Sequence, residues 1–320
     1  MKIKDIAKLA GVSVATVSRV LNNKEDVNSK TRKRILELIK NNDYRPSAIA
    51  RNLVKNENNT IGVIVPDIKN LYFSNIINEL TNISNDRGLN LLLGCSNEDF
   101  DIQNNYIDLF LKERVKGIII VVTKNSNYKI EYFKELIKKI PVVFLDRKIS
   151  DDFSGVFIEN YQTTYNSIKK MIDNGARNIA FISGPLDVST ANERFKAYKD
   201  VLVNNRIKYD ESNVFYGDFS MESGYKIGKE IIKKDIDAVY ISNNLMTFGF
   251  MKALKELNEN ITKYQISTFE NNEILDFMNK NIHSNIIPFN KFSEIAIELL
   301  NDLIYKNKEK EILEIFPIEK

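Results

Sequence analysis

The chain holds one cysteine, Cys95, and one histidine, His283, in 320 residues. A single cysteine excludes an intrachain disulfide, so nothing points to an oxidising compartment. One His and one Cys also exclude metal sites built from those two residue types. A Ser-His-Asp arrangement would have to bring distant partners to His283, whose polar neighbours read as a solvated loop. Gly-x-Gly-x-x-Gly and phosphate-loop patterns are missing, so nucleotide-dependent chemistry has no glycine-rich cradle. The acidic pairs Asp99/Asp101 and Asp151/Asp152 read as loop and cap residues. No apolar run approaches membrane-spanning length. Lys2, Lys4 and Asp5 lead into a periodic helix and not into the apolar core of a signal peptide. The expectation is a cytoplasmic protein with no membrane segment, no metal, no cofactor and no enzymatic activity.

What is present is ordinary in bulk and uneven in detail. Hydrophobic residues make up 43% and charged residues 28%, as in soluble globular proteins of two or three domains. The net charge of +3 is split along the chain. Residues 1–60 carry eight Lys and five Arg against three Asp and three Glu, 13 − 6 = +7, which leaves 3 − 7 = −4 for the remainder. Alone, such a basic segment reads as a solvated surface; beside a DNA-binding motif it reads as a contact for phosphate.

That motif lies at the N-terminus. Ile6, Leu9 and Ala10, then Val17, Val20 and Leu21, fall at helical spacing on either side of a break. Gly11 supplies the turn, and Ser13 can cap the second helix. Two helices this close match a helix-turn-helix. Asn28 is the expected N-cap of a third helix, Ser29 to about Asn41, with Ile35, Leu38 and Ile39 on one apolar stripe and Tyr44 closing a small core. Pro46 to Lys55 is under three turns of helix, too short to be stable alone. Asn56 to Thr60 reads as a linker.

From Thr60 the pattern alternates β and α. Strands are predicted at Ile61–Val65, Asn90–Cys95, Gly117–Val122, Val142–Leu145 and Gly155–Ile158. A second run follows, with strands at Asn178–Ser183, near Val214, at Ala238–Ser242 and at Gln265–Phe269. Helices lie between them, and a last helix carries Phe292, Ile295, Ala296, Leu299, Leu300 and Leu303. Continuous apolar strands joined by helices imply parallel sheets covered on both faces. Two runs of one alternation imply two similar lobes.

Residues 3–22, with Tyr44-Arg45-Pro46 and Ala50-Arg51-Asn52-Leu53, resemble the helix-turn-helix and hinge helix of LacI/GalR-family transcriptional regulators. Residues 60–310 resemble that family's type 1 periplasmic-binding-protein-like sensor. The implied fold is an all-α helix-turn-helix domain (1–45) with a hinge helix and linker (46–59). A two-lobed α/β sensor (60–320) follows, its lobes at roughly 60–157 plus 289–312 and 158–288 plus 313–320. The implied function is a sequence-specific repressor that binds a palindromic operator as a homodimer. Its effector would be a small carbohydrate in the interlobe cleft; a protein partner or a degenerate pocket is the alternative.

The resemblance also implies roles. Val14, Ala15 and Arg19 would face bases in the major groove, where Arg19 can bond guanine bidentately. Ser13, Thr16 and Ser18 would touch phosphates or cap helices, with packing open for Thr16. Asn28, Tyr44 and Ala50 complete the DNA-contacting set. Leu53, on its own reading a core residue of the linker helix, matches the family's minor-groove wedge. Effector contacts fall on Tyr72, Phe73, Asp146, Arg194, Asn243 and Glu270. Read alone, the two aromatics would be helix-start packing, and Asp146 and Arg194 surface ion pairs. Four positions depart from the family pattern: Glu270 and Glu159 for Asp, Asn244 for Asp, and Ile287 where a polar contact is usual.

Overall fold

In the computed structural model residues 3–21, 24, 26–42, 58–278, 281–305 and 310–319 are described. Tyr44, Ala50, Leu53 and the expected hinge helix lie outside them. The chain divides into two compact units at Asn58/Asn59.

The first unit has three helices, α1 (Ile3–Ala10), α2 (Val14–Leu21) and α3 (Ser29–Asn41). Its core is Ile6, Ala7, Ala10, Val17, Val20 and Ile35. Leu9, expected inside, is about half exposed; the smaller Ala7 takes the inward place, which lets the helices approach closely. Gly11 turns the chain at φ +66°, where side chains other than Gly are disfavoured. The Ser13 hydroxyl accepts the Thr16 amide at 3.1 Å. The Asn28 side chain accepts the Lys30 amide at 2.9 Å, so α3 starts where the sequence predicts.

The second unit contains two six-stranded sheets. The chain first forms β1 (Thr60–Val65), α4 (Leu71–Asp86), β2 (Asn90–Cys95), α5 (Phe100–Lys112), β3 (Ile118–Ile120), α6 (Ile130–Ile137), β4 (Val142–Leu145) and β5 (Gly155–Ile158). It then forms α7 (Tyr161–Asp173), β6 (Ile179–Ser183), α8 (Ser189–Asn204), β7 (Val214–Tyr216), α9 (Met221–Ile231), β8 (Ala238–Ile241), α10 (Asn244–Glu256), β9 (Gln265–Glu270), α11 (Glu273–Met278) and β10 (His283–Ile286). It ends with α12 (Phe289–Tyr305), β11 (Ile312–Ile315) and β12 (Ile318–Glu319).

The sheet orders are β11-β5-β4-β3-β1-β2 and β12-β10-β9-β8-β6-β7. Every pairing is parallel except the short antiparallel β10–β12 contact. The central strands β1, β3, β4, β5, β6 and β8 are buried on both faces, as their apolar runs require. Helix α12 packs on α4 and returns the chain to the first sheet.

Two expectations are corrected. The last passage between lobes was placed at 312/313, yet Ile312–Ile315 pairs residue for residue with Gly155–Ile158 in the first sheet, so the crossing follows Ile315. The first crossing likewise follows Ile158, not 157. His283 is not a solvated loop residue. It starts β10 and is partly buried. Burial lowers its pKa, helped by Lys170 and opposed by Glu319.

Candidate functional site

On the helical unit, α2 presents Val14, Ala15 and Arg19 to solvent, with Thr16 and Ser18 partly buried. The Ser13 and Thr16 hydroxyls lie 2.9 Å apart, and together they close the start of α2. Arg19 Nε is 3.5 Å from Asp26 Oδ2, both side chains more than half exposed; such a pair is weak and easily exchanged for another acceptor. This face combines apolar tips and hydroxyls at the start of α2 with a guanidinium in its last turn, groups of the kinds that can contact base edges and phosphates.

On the sensor unit, loops after strands of both sheets meet around a cavity of about 270 Å³. Asp67 follows β1, Glu98 follows β2, Asp146 follows β4, Asp218 follows β7, Asn243 follows β8, and Glu270 ends β9. Open parallel sheets bind ligands at these carboxyl ends. All six expected effector residues line this one cavity.

Each has a definite setting. Asn70 caps α4 by accepting the Tyr72 amide at 3.0 Å, which fixes Tyr72 and Phe73 at the helix start. The Tyr72 hydroxyl donates to Asp146 Oδ1 at 2.6 Å. Burial, with the adjacent Asp146 carboxylate, holds the Tyr72 hydroxyl well above its ordinary pKa. Asp146 is no surface residue: it is buried and sits at φ +64°, a conformation that Asp tolerates better than most side chains. Burial raises its pKa against the opposing pull of Tyr72, Arg147 and Arg194. Arg194, also buried, donates from Nε to Asn160 Oδ1 at 2.8 Å and from Nη1 to the Ser242 carbonyl. Its guanidinium stacks 3.4 Å from the centre of the Phe269 ring.

Asn243 uses both ends of its amide on backbone. It accepts the Met246 amide and donates to the Phe219 carbonyl, each at 3.0 Å, and so shapes the wall as a helix cap. Glu270 accepts the Asn244 amide at 3.0 Å. Burial raises its pKa to about 7, with Arg194 pulling the other way.

Two further family departures have clear structural settings. Glu159 caps α7, accepting the Gln162 and Thr163 amides and the Thr163 hydroxyl. Ile287 is buried in the apolar core with Tyr72 and Phe269.

Sequence reasoning missed the Glu98–Arg147 pair. Arg147 Nη2 and Nη1 reach Glu98 at 2.7 and 2.9 Å, and Nη1 also reaches the Val122 carbonyl at 2.9 Å. Burial works upward on Glu98, yet Arg147 holds its pKa below the usual range. The signal available was the charge next to Asp146. Asp218, Phe219 and Met221 were missed as well; they follow a strand whose three residues gave little pattern. Among the described residues no group of three His, Cys, Asp or Glu side chains could hold a metal ion, and no helix is long and apolar enough to cross a membrane.

Comparison with known proteins gives a family to both units. The model described as "Bacterial regulatory proteins, lacI family" matches residues 2–47. The model described as "Periplasmic binding proteins and sugar binding domain of LacI family" matches residues 58–280. Catabolite control protein A of Priestia megaterium is 30% identical over 314 residues, 96% of this chain and 93% of that protein. The HTH-type transcriptional repressor PurR of Histophilus somni (strain 2336) is 30% identical over 323 residues, 98% and 96% of the two chains. The lac repressor dimer, solved with operator and the anti-inducer ONPF, superposes with a TM-score of 0.87 over 100% of this chain and 97% of that one. At 21% identity that likeness shows a shared fold.

Proposed function

The chain belongs to the LacI family of bacterial regulatory proteins, and from that premise we propose that it represses transcription as a homodimer on a palindromic operator, under the control of a small carbohydrate in the cleft. That it is a DNA-binding transcriptional regulator with a ligand-binding domain follows from the family itself. The dimer, the operator symmetry and the effector class are what we propose beyond it. One observation carries the effector: six residues from five separate stretches of sequence line a single cavity at the strand ends of both sheets. A degenerate pocket would not keep buried carboxyls, a guanidinium and aromatic rings around open space.

Self-association is supported by α11, where Phe277 is 92% exposed beside the half-exposed Ile274 and Met278. An apolar face of this kind favours a covered state. A dimer also matches a palindrome, because each half-site then meets the same surface. The reading places the protein in the cytoplasm, with the DNA it binds.

The effector acts only through its different affinity for two lobe arrangements, which differ in how they hold the paired hinge segments. The test is to select binding sites with the full-length protein from random duplexes and then titrate a sugar panel into the complex. Recovered sites should be palindromic, and at least one sugar should change operator affinity. Arg194→Ala should keep operator binding and lose the sugar response. Operator binding indifferent to every sugar, but altered by a captured protein, would favour partner control.

A further inference from the structure

We propose that the cleft selects a monosaccharide-sized ligand carrying a protonated amine, an amino sugar in class, seated against Asp146 and Glu270. This rests on the cleft being the effector site. The volume of about 270 Å³ lies at the small end of ligand pockets.

The argument is a balance of charges and of what each is already bonded to. The Arg147 guanidinium is closed off by Glu98 and the Val122 carbonyl, so this pair contributes no free charge. Arg194 is the remaining buried cation at the cavity. It is held by Asn160, by the Ser242 carbonyl and by the Phe269 ring. Asp146 and Glu270 are both more than nine-tenths buried. Among the described residues neither is in ion-pair contact with a Lys or Arg nitrogen. At the rim Asp67 and Asp218 outnumber Lys69. Both rim acids are tied to neighbouring backbone amides.

Two desolvated carboxyls therefore line the cavity with one committed guanidinium near both. A phosphorylated ligand would add negative charge where both lining guanidiniums are committed and Lys69 at the rim is outnumbered by Asp67 and Asp218. With a neutral sugar one carboxyl would have no cationic partner and would be buried as its protonated acid. An ammonium donates three hydrogen bonds and supplies the missing charge. Phe73, Phe219, Met221 and Leu245 give the sugar ring an apolar wall.

The experiment is calorimetric titration of the full-length protein with D-glucosamine, D-galactosamine and D-mannosamine. Each is compared with its N-acetyl form and its 6-phosphate, at about pH 7, where an amine of this kind is largely protonated. At least one free amine should bind about tenfold or more tighter than both of its partners, a preference of about 1.4 kcal/mol or more. Glu270→Gln, close in shape, should erase that preference while melting as a folded protein. Equal or tighter binding of an acetylated or phosphorylated partner overturns the proposal, and so does binding of no free amine. In either case a neutral sugar that shifts operator affinity, with the shift lost in Arg194→Ala, leaves the effector reading standing. Operator affinity that ignores every sugar removes the effector reading as well.

Discussion

In the proposed function Arg19 serves DNA and Glu270 serves the effector, and each is held by a weak or costly contact that binding could relieve. Arg19 rests on Asp26 through an exposed contact at 3.5 Å, worth little in water, so it can transfer to a guanine edge. Arg19→Ala should relax operator preference at one base pair per half-site, at about 1–3 kcal/mol per contact. A gel-shift series over single-base operator variants checks this; equal loss on every sequence would make Arg19 a phosphate contact. Glu270 is the costly group. Its pKa rises from 4.5 to about 7 on burial, with Asp146, Arg194, Tyr72 and Tyr240 as its electrostatic neighbours. The folded state thus holds this proton more tightly than the unfolded chain. Stability from Glu270 is greatest below pH 4.5 and is lost as pH rises through about 7. The loss is on the order of 3 kcal/mol. Glu270→Gln should therefore flatten the pH dependence of the melting temperature across that window in ligand-free protein. An unchanged slope would place the titration elsewhere.

At the scale of elements, periodicity made most of the architecture legible and polarity hid the rest. The Val/Ile/Phe strands announced themselves because both faces of a parallel sheet are buried. The cleft residues were legible where each closes a strand, as Asp146 closes Val142–Leu145. By contrast β10 reads His-Ser-Asn-Ile, with Ser284 and Asn285 buried. Their polarity is met by bonds that pattern alone does not reveal: Asn285 Nδ2 to the Phe269 carbonyl at 2.8 Å, and Ser284 Oγ to Asn271 Oδ1 at 3.1 Å. Helix α11 and strands β11 and β12 were missed because they are short and half-exposed. Glu98–Arg147 was missed because a pair 49 residues apart exists only once one sheet gathers the ends of β2 and β4, with β1 and β3 between them. The α9–α10 crossing was equally invisible. A methyl on Gly249 would meet the Met221 carbonyl oxygen at 2.0 Å, and one on Gly224 would meet that of Met246 at 2.2 Å. Backbone cannot yield as a flexible side chain does. Gly249→Ala should destabilise the sensor by about 1–3 kcal/mol or more, read as a lower urea midpoint with the m-value unchanged. Since Met221 and Asn243 sit at the starts of these helices and line the cavity, sugar affinity should fall with it.

At the scale of the whole molecule the charge asymmetry and the lobed sensor describe one device. Residues 1–60 carry the +7 that attracts duplex, and this attraction weakens steeply with salt. It holds the protein on DNA without choosing a sequence. Choice needs two recognition helices at a fixed spacing, which only a dimer supplies. In the proposed reading the segment from Pro46 to Lys55 would connect that spacing to the cleft. Any helix of about ten residues is too short to be stable in isolation, so the proposed reading has this segment fold on the operator. In the proposed operator complex two copies meet in the minor groove, and the Leu53 pair enters a central base step. Unstacking that step costs a few kcal/mol and is offset by the contacts a bent duplex permits. Leu53→Ala should leave the sensor's melting temperature and its sugar affinity unchanged, because Leu53 lies in the segment before β1. Operator affinity should fall about tenfold or more, with loss of the bend in a circular-permutation gel-shift assay. Retained bending with retained affinity would mean that the hinge only tethers the two units, and that the cleft must reach DNA through the spacing of the recognition helices alone.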